Sequence, residues 1–223
     1  PTAKVIGLSA TPSRTACSPH PALGNILTRY SIYDATRDKT IVPLRICWFG
    51  GAPGQLAPDF RQQAELAYHM AQTYRVHKII VWCGTIGHCR DMAELWGMVF
   101  TDWLVAVDTS QSNARTSASC PPREEYGRTI AGPTSSFAGY AEYCNTKDNA
   151  LLFCAAKHRE GSDVPGLGMA VFVDGVEKRG SSVFVQCAGR VLRKSRDPEH
   201  PKSVGVVLDL RARDGLELCD RVG

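Results

Sequence analysis

The stretch LLFCAAKHREGSDVPGLGMAVFVD, residues 151–174, holds two apolar runs joined by a polar segment that carries glycine and proline. Each run is short and continuous rather than alternating, the pattern of a strand buried on both faces. ALLFCAA (150–156) and MAVFVD (169–174) therefore read as neighbours in a covered sheet, which is in general a parallel one. The same pattern recurs outward from this stretch. VPLRICWF (42–49), KIIVWC (78–83), WLVAVD (103–108) and SVGVVLDL (203–210) read as further buried strands, and KVIGL (4–8) as one near the start.

Helical periods fill the gaps. In PDFRQQAELAYHMAQTYRV, Asp59 is an N-cap with Gln62 three residues on. Phe60, Ala64, Tyr68 or Ala67, Ala71 and Tyr74 follow at helical spacing. A second helix is expected over 86–99, with Cys89, Ala93, Trp96 and Phe100 on one stripe. A short one around Ser135–Cys144 turns Phe137, Tyr140 or Ala141, and Cys144 inward. SSVFVQCAGRVLR (181–193) is the last. The Ser-, Thr- and Pro-rich stretch from Thr109 to Arg123 is a loop, and Glu124–Glu125 a solvated helix start. Strand alternating with helix predicts an α/β fold: an open parallel sheet with helices on both faces and ligands at the carboxyl ends of the strands.

Composition narrows the class. The 223 residues suffice for one good-sized domain, or one plus part of a second. Hydrophobic content of 43% and charged content of 22% are those of a globular protein. A net charge of +4 permits a polyanionic partner without demanding one. No apolar run approaches the ~18–20 residues that span a bilayer. The start, PTAKVIGLSATP, lacks the charged-then-apolar order of a signal peptide. It opens on Pro1, which reads as a fragment or partial product. The nine cysteines form no CxxC pair and most sit in apolar runs, as reduced core cysteines of an intracellular protein do. Cys83, His88 and Cys89 lack the second pair a zinc site needs. Trp82, Trp96 and Trp103 sit in apolar stripes and read as core rather than as base-stacking platforms.

The chemistry gathers in QCAGRVLR, 186–193. Gln186, Arg190 and Arg193 are spaced i, i+4 and i+7 and share a helix face, with Phe184, Ala188 and Val191 opposite. Gly189 costs a helix interior ~1 kcal/mol against alanine and signals close approach to the backbone. Two guanidiniums on a rigid helix clamp a group with several anionic oxygens; the same residues also suit a solvated basic face. Upstream, Gly161 turns the chain after a strand, and Asp163 then offers a carboxylate to a sugar hydroxyl or closes an ordinary Asx turn.

EGSDVP followed by QCAGRVLR resembles motifs V and VI of superfamily 2 helicases, GLSATP (7–12) resembles motif III, and VWCGT (81–85) motif IV. The four stand in family order and the resemblance covers nearly the whole chain. The wording of YDATRDKTIVPL, LLFCAAKHREGSDVPGL and FVDGVEKRGSSVFVQCAGRVLRK is similar to helicases of large nucleocytoplasmic DNA viruses. The resemblance implies a RecA-like second domain over 42–223, with 1–41 as the end of the first RecA-like domain and a linker. It implies that Arg190 and Arg193 are arginine fingers for the ATP γ-phosphate. Gly161, Asp163 and Gln186 would complete the nucleotide site, and Ser9 and Thr11 would couple it to domain closure. Thr85, Lys157 and His158 would meet nucleic acid phosphates. Motif V in many relatives has an early threonine, where this chain has Ala155 and Ala156. ATP and Mg²⁺ are the implied cofactors of the complete enzyme, with neither bound tightly by this chain alone. The implied partners are RNA or DNA and an N-terminal RecA-like domain, in cis or in trans, with no membrane. An intracellular, soluble location follows, in a virion or host cytoplasm or nucleus if the source is viral.

No lysine follows a glycine and no Asp-Glu pair occurs, so the chain carries neither a phosphate loop nor a DExx magnesium box. The expectation is a chain that does not hydrolyse ATP by itself. Two other readings stand beside the motor domain. One is a truncated, inactive module that binds nucleic acid or a partner helicase half; the other is a translocase subunit of a restriction-type complex. Ser9 has no nucleophile-elbow context and suggests no hydrolase triad.

Overall fold

A computed structural model describes residues 30–49, 58–109, 137–155, 157–158, 162–174 and 181–210, and the backbone of two short antiparallel pairs. The pairs are Ser13–Thr15 with Ser18–Pro19, and Arg123–Glu125 with Arg128–Ile130. Glu124 and Glu125 are thus in a strand, not at a helix start: Glu124 pairs with Thr129 and Glu125 with Arg128. The first expected strand, KVIGL, lies outside the described residues, as do Ser9, Thr11 and Gly161.

Six strands form one parallel sheet: β1 (Leu44–Trp48), β2 (Lys78–Trp82), β3 (Leu104–Val107), β4 (Ala150–Cys154), β5 (Leu167–Phe172) and β6 (Gly205–Asp209). Their order is β1-β6-β5-β2-β4-β3. β2, β4, β5 and β6 are buried along their whole length, which is why each appears in sequence as a continuous apolar run. Edge strand β1 is half-exposed, with Arg45 and Trp48 in solvent. The other edge is bridged by Ala138 pairing with Ala106.

The two-residue period of the strands sorts side chains into two cores. Ile79 and Val81 of β2 join Leu151, Phe153, Met169 and Val171 under helices α2 (Phe60–Tyr74) and α3 (Ile86–Gly97). Ile80 and Trp82 join Leu152, Cys154, Ala170 and Phe172 under α4 (Tyr140–Asn145) and α5 (Ser181–Val191). A short helix, α1 (Ile32–Arg37), precedes β1 and is opened by a Ser31–Asp34 capping box.

The capping box expected for α2 is present: Gln62 N donates to Asp59 Oδ1 at 2.8 Å, and Asp59 N to Gln62 Oε1 at 3.1 Å. Its buried stripe is Gln63, Ala64, Ala67 and Ala71, whereas Phe60 and Tyr68 are exposed. Three alanines let the helix lie close to the sheet, and Phe60 turns to the ring of His88 on α3, 5.4 Å between centroids. Cys89, Ala93, Trp96 and Phe100 are all buried, as their spacing requires. α4 starts later than its sequence suggests, because 137–139 run extended along β3. Its buried anchor is Tyr143, whose hydroxyl donates to Ile79 O at 3.0 Å. Trp82, Trp96 and Trp103 are core residues. Cys83, Cys89, Cys154 and Cys187 are buried in the core, and Cys47 and Cys144 are half-buried. No described helix is long and apolar enough to cross a membrane.

Candidate functional site

At the carboxyl edge, β2 runs into Gly84 and Thr85. Thr85 N-caps α3, its hydroxyl oxygen accepting from His88 N at 3.2 Å. β3 delivers Asp108, which is 8% exposed, and β4 delivers Lys157 and His158. Lys157 Nζ lies 2.8 Å from Asp108 Oδ1 and His158 Nε2 lies 2.6 Å from Asp108 Oδ2. His158 adopts a left-handed φ of 63° and stacks on Tyr140, 4.1 Å between centroids. The Lys157 carbonyl accepts from Trp82 Nε1 at 3.0 Å and from Cys154 Sγ at 3.3 Å. Lys157 and His158 are therefore held on a buried carboxylate within the chain. Burying one charge without its partners costs several kcal/mol, so this cluster sets the shape of the turn after β4.

The described part of the β4–β5 crossover, residues 162–166, lies between α4 and α5 and leads into β5. Val164 plugs the core on the way. The Tyr140 hydroxyl donates to Asp163 O at 3.3 Å. Burial, a hydrogen bond to Cys144 and the Asp163 charge push the Tyr140 phenol up. Arg190 donates to Ser162 O, and Arg193 donates to the Asp163 carboxylate. Burial first, and repulsion by Arg193 second, pull the Arg190 guanidinium below its ordinary value.

α5 packs Phe184, Cys187, Ala188 and Val191 on the sheet, as its period requires. It runs antiparallel to the strands, since β5 feeds its start and its end meets the start of β6. Arg190 lies in its last turn and Arg193 two residues beyond its end. The arginines and Asp163 thus sit over the sheet face and towards the amino edge, not at the carboxyl edge that a parallel sheet suggests. Gln186 lies further up the helix; its Oε1 is buried with no hydrogen-bond partner among the described residues. A Cβ on Gly189 would meet no heavy atom within 4 Å, so nothing described in this chain packs against that glycine.

The structure brings Asp163, Arg190 and Arg193 together and keeps Thr85, Lys157 and His158 at the other end of the seam. Tyr140 links the two groups by touching both His158 and Asp163. Tyr140 was expected only as an inward-facing residue of its helix, and Asp108 and Lys202 had no place in the expected site. An aspartate ending an apolar strand was a readable signal for Asp108; the other two had none, because they act across long sequence separations.

Lys202 Nζ donates to Arg193 O at 2.9 Å and to Leu167 O at 2.5 Å, tying the turn after α5 to the start of β5. Burial pulls its ammonium down to about 8 from 10.5. Below that pH the folded state carries a buried charge. The unfolded chain keeps binding the proton up to its ordinary value, so stability rises with pH between about 8 and 10.5. The full rise is on the order of 3 kcal/mol. Thermal midpoints from pH 7 to 10 are expected to climb more in the native chain than in Lys202→Met. A gap between the two that is constant with pH would count against this.

No family model matches the chain, and no curated protein matches it by sequence. Solved structures do. A fragment assigned to the HsdR subunit of a type I restriction enzyme from Vibrio vulnificus YJ016 superposes with a TM-score of 0.56 at 18% identity, over 84% of this chain and 35% of that one. The E. coli DExH-box NTPase HrpB superposes with a TM-score of 0.50 at 11% identity, over 78% of this chain and 20% of that one. The fold is that of RecA-like helicase C-terminal domains. Domain 2 of the DEAD-box helicase Mss116p scores 0.44 at 13% identity, over 74% of this chain and 52% of that one. The chain spans about a third of the HsdR fragment and a fifth of HrpB. In this helicase C-terminal fold, the described residues contain no group of three or more side chains able to hold a metal ion. Its chemical resources are two guanidiniums, one carboxylate and an unpartnered amide oxygen.

Proposed function

We propose that this chain is the second RecA-like motor domain of a superfamily 2 ATP-dependent helicase or translocase acting on RNA or DNA. The observation that carries the reading is the meeting of Asp163, Arg190 and Arg193 between the crossover and α5, in a RecA-like helicase C-terminal fold. Arg190 and Arg193 would reach the γ-phosphate, where fixed positive charge stabilises the transition state. Asp163 would take a ribose hydroxyl, and the free Gln186 oxygen would join the nucleotide network. ATP and Mg²⁺ would be held by an N-terminal RecA-like domain, and residues 1–41 would belong to its end and the linker. Ser9, Thr11 and Gly161 keep their proposed coupling and loop roles. Thr85, Lys157 and His158 would touch nucleic acid backbone, with binding that is salt-sensitive and weakly sequence-specific. The wording of the motif segments favours kinship with helicases of large nucleocytoplasmic DNA viruses.

The second reading, an inactive binding module, rests on the missing phosphate loop and DExx box. One experiment separates the two. The chain is mixed with a RecA-like half carrying both elements, and ATP hydrolysis is measured with and without nucleic acid. The motor reading expects no turnover by this chain alone and nucleic-acid-stimulated turnover in the mixture. Nucleic acid binding with no stimulation by any such half favours the binding module.

A further inference from the structure

Arg193 stands two residues beyond the last residue of α5, where the ladder of the helix no longer fixes the chain. Carbonyls at such an end need partners from elsewhere. Leu192 O accepts from Val42 N at 2.9 Å. Arg193 O accepts from Lys202 Nζ, also at 2.9 Å and nine residues further along the chain. The same ammonium donates to Leu167 O at 2.5 Å. Leu167 is buried at the start of β5, and β5 lies inside the sheet between β6 and β2. The Lys202 ammonium thus joins the turn that carries Arg193 to a rigid element. The Arg193 side chain itself is more than half exposed. A long exposed side chain passes any shift of its backbone on to its tip, so the guanidinium is only as well placed as the turn beneath it. Lys202 is costly where it stands, because burial disfavours its charge. A methylene chain without the ammonium would fill the same space and leave the turn untied.

We propose that Lys202 is the positioning residue of Arg193: it clamps the turn after α5 to β5 and so fixes the point from which the Arg193 guanidinium reaches the γ-phosphate. The proposal rests on the motor reading and adds to it a residue that lies outside the motif segments. Lys202 acts through the Arg193 backbone and not on the nucleotide. Misplacing a reacting group by ~1 Å costs on the order of 10²-fold in rate, so loss of the clamp falls on the chemical step.

Two measurements test it. In the full chain alone, hydrogen exchange over residues 192–196 is expected to be at least tenfold faster in Lys202→Met than in the parent, with exchange in α2 unchanged. In the mixture with a phosphate-loop half, Lys202→Met is expected to lower kcat tenfold or more, with KM for ATP within threefold. Met92→Ala is the control for a merely structural effect. It opens the core under α2 and α3, on the other face of the sheet, and is expected to lower the thermal midpoint and to keep the parent kcat where it is folded. Where Lys202→Met does not fold, Lys202→Gln, with an amide donor on a shorter stem, takes its place in both measurements. The proposal is overturned if exchange over 192–196 does not change. It is overturned too if kcat falls no further than in Met92→Ala, or if the loss falls on KM. A parent mixture without ATP turnover removes the motor reading and the clamp together. An active parent mixture with an equally active Lys202 variant removes the clamp alone.

Discussion

Arg190→Ala and Arg193→Ala, each in the enzyme reconstituted with a phosphate-loop half, are expected to cut nucleic-acid-stimulated ATP hydrolysis by about 10³-fold or more. The loss should fall on kcat rather than on KM. A finger guanidinium meets charge that develops in the transition state, so its removal leaves substrate binding nearly intact. Lysine is not expected to rescue either position, because a point charge lacks the planar fork that grips two oxygens. The double variant should be little worse than the worse single one, since both guanidiniums would act on one group in the proposed motor. Arg193 and Asp163 form a pair that is 53% and 69% exposed at the side chain. Such a pair contributes at most about 1 kcal/mol, so Arg193→Ala should stay folded and the rate loss should not be a folding loss. Circular dichroism of each variant checks that. Hydrolysis within a few-fold of the parent enzyme in both single variants would remove the finger assignment.

Gly205→Ala is expected to abolish the native fold. A Cβ at Gly205 would stand 2.1 Å from Val191 O and 2.7 Å from Val191 C, where the end of α5 touches the start of β6. The obstacle is backbone on both sides. β6 is hydrogen-bonded to β1 and to β5, so it has no room to retreat. Val191 is itself buried and closes the helix. Overpacking a core by one methyl costs about 1–3 kcal/mol where side chains can give way. Here none of the colliding atoms can, and a cost above about 4 kcal/mol removes most of the stability of an ordinary domain. Gly189→Ala in the same chain is the control. Its Cβ meets nothing, so the helix gains about 1 kcal/mol. Denaturant midpoints of the two variants give the comparison, and a Gly205→Ala chain as stable as the native one would refute the packing argument.

Much of the architecture was readable because burial is written in local pattern. A strand covered on both faces must be apolar throughout, so ALLFC, KIIVW and GVVLD announce themselves. The Asp59–Gln62 capping box is a four-residue signal and formed as written. Small errors came where one period fits two faces. Ala64 and Ala71 of α2 are inward as expected, and of the two alternatives it is Ala67 rather than Tyr68 that is buried, with Phe60 exposed, because close contact with the sheet rewards small side chains. In α4 the buried ring is Tyr143, because the preceding residues pair with β3 and delay the helix.

For the candidate site, the sequence by itself determined which groups are present. The QxxGRxxR spacing supplied two guanidiniums, and GSD supplied a carboxylate upstream; residue identity and short spacing suffice for that. Only the tertiary structure decided where they meet. α5 runs against the strands, so its arginines come down on the crossover, over the sheet face, rather than at the carboxyl edge. Only the fold could join Asp108 to Lys157 and His158, or Tyr140 to Asp163, across separations of 49, 50 and 23 residues. A pocket at the amino edge arises the same way, from five segments with no common local signal, which include Ile41, Lys78, Cys144, Asp163 and Arg193. Long-range contacts depend on strand order, and strand order is set by packing of the whole sheet rather than by any window of sequence.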